Sequence, residues 1–300
     1  MITIIMTGGT SGFGKIAADQ LKSSSYIRLL LGIHSSRVST AFETIPLDLS
    51  KLESVRFFAT RINELLGTTK IDALVFNAGV SLPNDNNRTD DGFEKTFAVN
   101  HLAHYLLLRL LEPKLADKAK VILTTSGTHD PDEKTIIPPP RHADAKLLAH
   151  PDLDPDHDKN DRIAGGRAYS SSKLCVILTA RAFALLPKVQ NRQISIVAYD
   201  PGPTPGTGLV RNTNLFIRMI WYILGTSIFH PFLQKMNNRL TAGSTLADLS
   251  LGKIKPPEGR IYAALRNGKL TWPDPSDLAL RNDLMNTLWK DSSKLVGLPE

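Results

Sequence analysis

Residues 2–14 read Ile2-Thr3-Ile4-Ile5-Met6-Thr7-Gly8-Gly9-Thr10-Ser11-Gly12-Phe13-Gly14, a short apolar run followed by a glycine-rich turn. The run has the composition of a buried strand, and a helical pattern follows the turn as far as Leu21. A strand, a glycine turn and a helix in this order suit a dinucleotide pyrophosphate, which needs close backbone approach and free N–H groups at a helix start. We predict that this turn binds a nucleotide; a purely structural turn is the alternative.

Strand and helix patterns alternate along most of the remaining chain. The predicted strands are residues 28–33, 44–47, 71–76, 121–125 and 261–265, and the predicted helices are residues 52–66, 93–115, 242–251 and 277–295. Such alternation is typical of parallel sheets with helices on both faces. We therefore predict a single doubly wound α/β domain of the Rossmann type over residues 1–300, with a mainly parallel sheet.

The loop after the second predicted strand bears on the choice of cofactor. A carboxylate here would hydrogen-bond the adenosine ribose of NAD and repel the 2′-phosphate of NADP. The chain instead has His34-Ser35-Ser36-Arg37, in which an arginine and hydroxyl groups could hold a phosphate. This favours NADP(H) over NAD(H), with a solvated loop charge as the alternative for Arg37. Asp48, after the third predicted strand, could lie beside the adenine.

Two further turns follow predicted strands at the same edge of the sheet. They are Asn77-Ala78-Gly79 and the turn that begins at Ser126. Ligands of open α/β sheets bind at the carboxyl ends of the strands, so both turns are candidates for a binding site. Asn100 is predicted inside an apolar helix, where an amide usually costs stability. Its pattern leaves two roles open, a structural bridge to backbone groups or the positioning of a water in the site.

Tyr169-Ser170-Ser171-Ser172-Lys173 places a phenol and an ammonium four residues apart, at the start of an apolar run. In a helix, positions i and i+4 lie on one face, so both groups can address the same small volume. The unperturbed pKa of a phenol is about 10, and a nearby cation lowers it by stabilising phenolate. The pair predicts proton transfer at an oxygen, with a solvated helix face as the alternative.

Together these motifs resemble, in order and approximate spacing, those of the short-chain dehydrogenase/reductase family. The matching motifs are Thr7-Gly8-x-x-x-Gly12-x-Gly14, Asp48, Asn77-Ala78-Gly79, Asn100, Ser126, Tyr169-x-x-x-Lys173 and Pro201-Gly202, and the match extends to about residue 210. The resemblance implies that Tyr169 is the general acid/base, and that Lys173 lowers its pKa and binds the nicotinamide ribose. It also implies that Ser126 polarises the substrate oxygen and that Asn100 holds a proton-relay water.

The same resemblance implies a set of cofactor contacts along the carboxyl edge of the sheet. They are Gly8, Thr10, Ser11, Gly12, Phe13, Gly14, His34, Ser35, Arg37, Asp48, Leu49, Asn77, Ala78, Gly79, Tyr169, Lys173, Pro201, Gly202, Thr204 and Thr207. No metal ligand is implied.

Within the family, three segments look like those of light-dependent protochlorophyllide reductases and retinol-dehydrogenase-like enzymes: residues 206–211, 232–235 and 293–298. Those reductases carry a cysteine, implicated in protonating the pigment, just after the Pro-Gly pair. This chain has Pro203 there, and its one cysteine, Cys175, lies on the helix after Tyr169. The Pro-Gly turn also has Gly206 where a phosphate-contacting threonine is expected, with Thr207 one step later. These departures favour carbonyl chemistry over reduction of a C=C bond in a pigment-like substrate.

Two regions fall outside the common core of that family. Residues 129–167 are polar and proline-rich, and we expect a solvated insertion rather than a metal loop there. Residues 203–240 include the apolar stretch 215–233, which contains Trp221 and Phe229. We predict a substrate lid, with core packing and membrane-surface association as less favoured alternatives.

Composition limits the function classes. The chain is 42% hydrophobic and 22% charged, and its net charge of +7 is spread without a Lys/Arg block, so we expect no nucleic-acid partner. A single cysteine excludes an internal disulfide framework and a multi-cysteine metal site. The first residues lack a basic region and a cleavage site, so we expect a cytoplasmic protein, monomeric or homodimeric.

The expected function is hydride transfer between NADP(H) and a carbonyl or alcohol of a bulky, hydrophobic small molecule. A protein that keeps the fold and senses the nucleotide without turnover, or serves as a scaffold, is an alternative of another class. The presence of a serine, a tyrosine and a lysine together favours an enzyme.

Overall fold

Eight strands form the central sheet in a computed structural model that describes residues 1–34, 42–204 and 237–299. They are β1 (Ile2–Thr7), β2 (Ile27–Ile33), β3 (Glu43–Pro46), β4 (Ile71–Phe76), β5 (Leu115–Thr124), β6 (Ser195–Asp200), β7 (Tyr262–Arg266) and β8 (Lys269–Thr271). Their order across the sheet is β3-β2-β1-β4-β5-β6-β7-β8. β1 to β7 are parallel and β8 pairs antiparallel with β7, which confirms the predicted doubly wound, mainly parallel fold.

The strand order reverses at β1, which pairs with β2 on one side and with β4 on the other. The chain therefore winds outward in both directions from this point. In such sheets a crevice opens at the reversal, outside the carboxyl ends of the strands. The turns that follow Thr7, Phe76, Thr124 and Asp200 all lie on this edge.

Helices cover both faces of the sheet. They are α1 (Gly12–Lys22), α2 (Leu52–Leu66), α3 (Lys95–Phe97), α4 (Ala103–Leu111), α5 (Ala145–Ala149), α6 (Asp161–Ala184), α7 (Pro187–Asn191), α8 (Arg239–Ser250), α9 (Asp277–Leu280) and α10 (Asn282–Leu295). Because successive strand residues point to opposite faces, Ile4 and Ile5 belong to two different buried clusters. One cluster joins the sheet to α1 and α8, and the other joins it to α2, α4 and α6.

The predicted helix at residues 93–115 differs from the structure in two ways. Between α3 and α4 the backbone forms one π-helical turn, Ala98–Leu102. After α4 comes a short 3₁₀ turn, Glu112–Lys114, and β5 already begins at Leu115. Pro113 explains the early end, because proline has no N–H to continue a helix.

The C-terminal segment also differs from its prediction. Residues 277–295 form two helices rather than one, because Arg281 between α9 and α10 has an extended backbone (φ −70°, ψ 117°). Trp289 of α10 packs against Tyr105 and Phe183, with ring centroids 4.9 Å and 6.4 Å apart. The segment therefore covers the outer side of α4 and α6.

Most of the polar insertion at residues 129–167 is exposed or partly exposed to solvent. It contains α5 and the first turns of α6, and ion pairs tie it down. Asp158 pairs with Arg167 of α6 at 2.6 Å and with Arg141 at 3.2 Å. His157 lies 2.8 Å from Asp85, outside the insertion. The acidic and histidine residues of this region thus serve as local anchors for the start of α6.

The predicted substrate lid falls mostly outside the described residues. Most of residues 203–240, including the whole apolar stretch 215–233, lies outside the described residues; the range ends in the first turn of α8. In the parts of the chain that the structure describes, no helix is both long enough and apolar enough to cross a membrane.

Candidate active site

The glycine turn after β1 lies directly against the turn after β4. Gly8 has a left-handed backbone (φ +70°), and a Cβ built there would lie 2.5 Å from the backbone nitrogen of Ala78. A Cβ on Gly14 would lie 2.1 Å from the Gly8 carbonyl oxygen and 2.3 Å from Asn77 Nδ2. Any side chain at these two positions would overlap its neighbours, so the glycines are required for the two turns to meet.

Thr7, the last residue of β1, links the same two turns through its side chain. Its Oγ1 accepts hydrogen bonds from the backbone N–H groups of Asn77 and Ala78, both at 3.1 Å. It also lies 3.0 Å from Nε2 of the buried His104, whose Nδ1 is 3.2 Å from the Asn100 carbonyl oxygen. Burial lowers the pKa of His104 to about 4, so the ring is neutral and Nδ1–H is the donor to that carbonyl. Sequence analysis did not identify His104.

The start of α1 has the features of an anion site. Ser11 precedes the helix with an extended backbone, and its side chain makes no capping hydrogen bond. Gly12 has φ +57° and opens the helix, followed by Phe13. The first N–H groups of a helix have no partner within the helix, and they favour a phosphate.

The residues predicted to contact the adenosine follow β2 and β3. Exposed His34 follows β2, and its Nε2 is 3.6 Å from Asp48 Oδ2. Although partial burial opposes it, hydrogen bonds from Ser50 and the proximity of His34 hold the pKa of Asp48 below its usual range. Leu49 is buried beside them. Outside the described residues lie Ser35, Arg37 and Thr207.

Asn100 lies in the π-turn Ala98–Leu102 and bridges two segments. Its Oδ1 accepts from the Val80 N–H at 2.8 Å and its Nδ2 donates to the Val80 carbonyl at 2.9 Å. Nδ2 also lies 2.9 Å from Ser172 Oγ, which in turn donates to the Tyr169 carbonyl at 2.6 Å. Of the two roles that the sequence left undecided for Asn100, the structural bridge to backbone groups is therefore observed. π-turns often occur at functional sites, because they redirect one side chain.

Lys173 is buried and points at the carboxyl edge of the sheet. Its ammonium donates to the Thr124 carbonyl at 3.0 Å. A Cβ on Gly79 would lie 3.4 Å from Lys173 Nζ and 3.3 Å from Asn100 Oδ1, so these three residues meet. Burial lowers the pKa of Lys173 to about 8, so this ammonium titrates much closer to neutral pH than an exposed lysine does.

Tyr169 is 4% exposed and lies beside Lys173, whose ammonium is 5.7 Å from the centre of the phenol ring. Burial raises the pKa of the phenol, whereas a hydrogen bond with the Ser126 hydroxyl acts to lower it. The pKa of Tyr169 is therefore raised overall, whereas the nearby lysine alone is expected to lower it. The reason is that the predicted helix face is buried, and desolvation penalises phenolate.

The turn after β6 completes the arrangement. Gly202 is left-handed (φ +64°). Thr204 donates to the carbonyls of both Pro201 and Gly202, at 3.2 Å and 3.0 Å. Asn237, which sequence analysis missed, donates to the Pro201 carbonyl at 2.9 Å. The turn is thus held by side chains on both sides of the segment that the structure does not describe.

The predicted site residues that the structure describes fall into two groups. One group lies at the carboxyl ends of β1, β4, β5 and β6; it comprises the glycine turn, the Asn77 turn, Asn100, Ser126, the Tyr169/Lys173 pair, and Pro201, Gly202 and Thr204. His34, Asp48 and Leu49 lie apart from them, at the ends of β2 and β3. The two groups span the reversal point of the sheet, where an elongated dinucleotide would bind.

These features define a Rossmann-type protein whose glycine turn after β1 lies at the same sheet edge as a buried tyrosine and lysine. Residues 2–132 match the family model for short chain dehydrogenases. Human retinol dehydrogenase 13 is 27% identical over 99% of this chain and 85% of its own length. Chloroplastic protochlorophyllide reductase B from Oryza sativa subsp. japonica is 26% identical over 99% of this chain and 78% of its own. The family match over residues 2–132 and these relatives confirm the resemblance to short-chain dehydrogenases/reductases that the sequence motifs indicated.

A solved structure shows the same fold. The crystal structure of an uncharacterized protein from Mycobacterium paratuberculosis superimposes with a TM-score of 0.68, at 23% identity, over 99% of this chain and 94% of that one. The branch predicted from sequence, with retinol dehydrogenases and protochlorophyllide reductases, is represented among the relatives.

Proposed function

We propose that the protein transfers hydride between NADP(H) and a carbonyl or alcohol of a bulky hydrophobic molecule. The observation that carries this proposal is the convergence of Ser126, Tyr169 and Lys173 beside the turns after β1 and β4, at one edge of the sheet. A panel of carbonyls and alcohols, including phenanthrenequinone, monitored by nicotinamide absorbance, tests it. Binding of NADPH without substrate-dependent oxidation by any member would favour a nucleotide sensor.

The residues present fit a nicotinamide dinucleotide. Gly8 and Gly14 let the turns after β1 and β4 pack together at the start of α1, which Ser11 leaves uncapped. Backbone N–H groups there would hold the pyrophosphate, and Lys173 would hold the nicotinamide ribose. When bound, the cofactor supplies the hydride that reduces a carbonyl carbon.

The chain's own residues supply the proton. During reduction the carbonyl oxygen gains electron density, and Tyr169 donates its phenolic proton to that oxygen while Ser126 hydrogen-bonds it. The raised pKa of Tyr169 keeps the phenol protonated at neutral pH, which suits donation. Lys173, as a cation beside the ring, stabilises the phenolate that forms.

Cofactor choice is tested at residue 35. Converting Ser35 to Asp should narrow or reverse a preference for NADPH over NADH, because a carboxylate would repel the 2′-phosphate and could accept the ribose hydroxyls. The measurement is the ratio of the two dissociation constants, from nicotinamide fluorescence, in the native protein and the variant. Equal affinities in the native protein would contradict the proposed preference, and Ser36→Asp is a matched control.

Two observations support a hydrophobic substrate. Residues 215–233 are rich in large apolar side chains, including Trp221 and Phe229. Two of the relatives are named for retinol and protochlorophyllide, which are large and largely hydrophobic molecules. Each apolar side chain buried against a ligand contributes about 1.5–3 kcal/mol, so a few contacts would favour bulky substrates.

Replacing Trp221 and Phe229 by alanine tests this part of the proposal. If these side chains contact substrate, the KM for bulky ketones should rise at least tenfold more than the KM for small ones. Steady-state kinetics with a matched pair of ketones measures the ratio. An unchanged ratio would point to core packing, and cofractionation of the native protein with lipid vesicles would point to membrane-surface association.

A further inference from the structure

Asp200 is the last residue of β6, and its carboxylate is 1% exposed. Its Oδ1 accepts the Gly202 N–H at 2.8 Å, and its Oδ2 accepts the Tyr262 hydroxyl at 3.0 Å. Oδ2 also lies 2.8 Å from Arg266 Nη2. A buried carboxylate needs such partners, since an unpaired buried charge is strongly destabilising. Asp200 thereby ties the turn after β6 to β7.

Arg266 extends this connection to the turn after β5. Its Nε donates to Glu133 Oε1 at 3.0 Å. A Cβ built on Gly127 would lie 3.0 Å from Arg266 Nη2 and 3.1 Å from Asp200 Oδ2. Gly127 directly follows Ser126, so the ion pair lies against the backbone that carries the serine hydroxyl.

His129 holds the same segment from the other side. Its Nδ1 donates to the Ser126 carbonyl at 2.8 Å, and its Nε2 accepts the Ser276 N–H at 3.2 Å. Its ring packs edge-on against Tyr262, with centroids 5.1 Å apart. Burial lowers the pKa of His129, which keeps the ring neutral and able to accept at Nε2.

The negative charge of Asp200 also reaches the reacting groups. Burial is the larger influence on both, but Asp200 raises the pKa of Tyr169 and of Lys173. Among the described residues, several titratable and charged groups face Asp200: Tyr169 and Lys173 of α6, His129 and Glu133 after β5, Tyr199 of β6, and Tyr262 and Arg266 of β7.

We propose that Asp200 and Arg266 form a positioning pair. The pair fixes the position of the Ser126 hydroxyl relative to the Pro201–Gly202 turn, and it sets the electrostatic potential at Tyr169. The inference rests on the proposed function, because it assigns roles relative to the reacting hydroxyls. The pair acts through backbone contacts and charge. It joins three consecutive strand ends, so a loss of either member displaces the groups on both neighbouring turns.

The variants Arg266→Met, Asp200→Asn and their double variant test the pair in the full chain. Arg266→Lys keeps the charge, and Arg260→Met is a matched control that removes a surface ion pair with Asp274. We expect Arg266→Met to lower kcat with NADPH and phenanthrenequinone by about 10- to 100-fold, because small displacements of reacting groups cost rates of this size. The double variant should recover part of the loss, because Asp200 is no longer left as a buried unpaired charge.

The pH dependence separates positioning from a merely structural role. Removing the carboxylate in Asp200→Asn should move the pH profile of kcat to lower pH. The reason is that the lost negative charge no longer raises the pKa values of Tyr169 and Lys173. Removing the cation in Arg266→Met should move the profile to higher pH. A simple loss of packing would move both profiles alike, or neither.

A binding measurement decides the positioning role without turnover. We expect Arg266→Met to weaken NADPH binding about tenfold and to leave 2′,5′-ADP binding unchanged, because only the whole cofactor reaches the Pro201–Gly202 turn. Parallel losses for both ligands, profiles that shift together, or equal damage by Arg260→Met would overturn the inference. If the native protein turns over no carbonyl while Arg266→Met still loses NADPH selectively, the proposed function fails and the positioning pair stands.

Discussion

Turnover should fall by roughly 10² to 10⁴ when Tyr169 is replaced by phenylalanine, the usual loss when a general acid is removed. The ring remains and still fills its buried place, so NADPH binding should survive. Only the phenolic hydroxyl, the proposed proton donor, is lost. Steady-state rates with a carbonyl substrate, and NADPH titration by fluorescence, give the two readouts.

Tyr105→Phe is the matched control for that result. Tyr105 is also buried, and its hydroxyl donates to the Trp289 carbonyl of the C-terminal helix at 2.9 Å. Its loss should cost about 1 kcal/mol of stability and leave turnover unchanged. Wild-type turnover by Tyr169→Phe, with NADPH still bound, would show that another group transfers the proton.

Replacing Lys173 by methionine is expected to remove most activity and yet to stabilise the fold at neutral pH. The pKa of this lysine falls from an unfolded value of about 10.5 to about 8 in the folded protein. Keeping it charged below pH 8 costs about 3 kcal/mol, offset by about 1 kcal/mol for its hydrogen bond to the Thr124 carbonyl. The variant should therefore be about 2 kcal/mol more stable at pH 7.

The sign of the pH dependence follows from proton uptake. Between about pH 8 and 10.5 the unfolded state binds the proton and the folded state does not, so native stability rises with pH across this window. The advantage of Lys173→Met should shrink over the same range. Denaturant unfolding at several pH values measures it, with exposed Lys255→Met as the control. A variant less stable than the native protein at pH 7 would contradict the assigned burial cost.

Local patterns were sufficient for much of the fold. The strand, glycine turn and helix at residues 2–22 are predictable because their determinants are contiguous. The helix Leu52–Leu66 is predictable because its buried positions recur with helical spacing. The early start of β5 was missed although Pro113 signals it. So was the β7–β8 hairpin, whose Asn267-Gly268 turn is a strong local signal.

The rest of the candidate site depends on contacts that no local pattern carries. The spacing of Tyr169 and Lys173 indicates a shared face, but not that the face is buried, and burial reverses the expected shift of the tyrosine pKa. Arg266 meets Glu133 across 133 residues of sequence. Its role follows only from the pairing of β6 with β7, which places it beside Asp200.

The π-turn Ala98–Leu102 also sets the rotational phase of the helix that follows it. An α-helix advances by about 100° per residue, so one extra residue rotates every later side chain by that angle relative to an uninterrupted helix. Asn100 reaches Val80 and Tyr105 reaches Trp289 only in the present phase. Deleting one residue to regularise the turn would therefore break both contacts at once. The length of the helix cannot change here without disturbing the site and the C-terminal cover together.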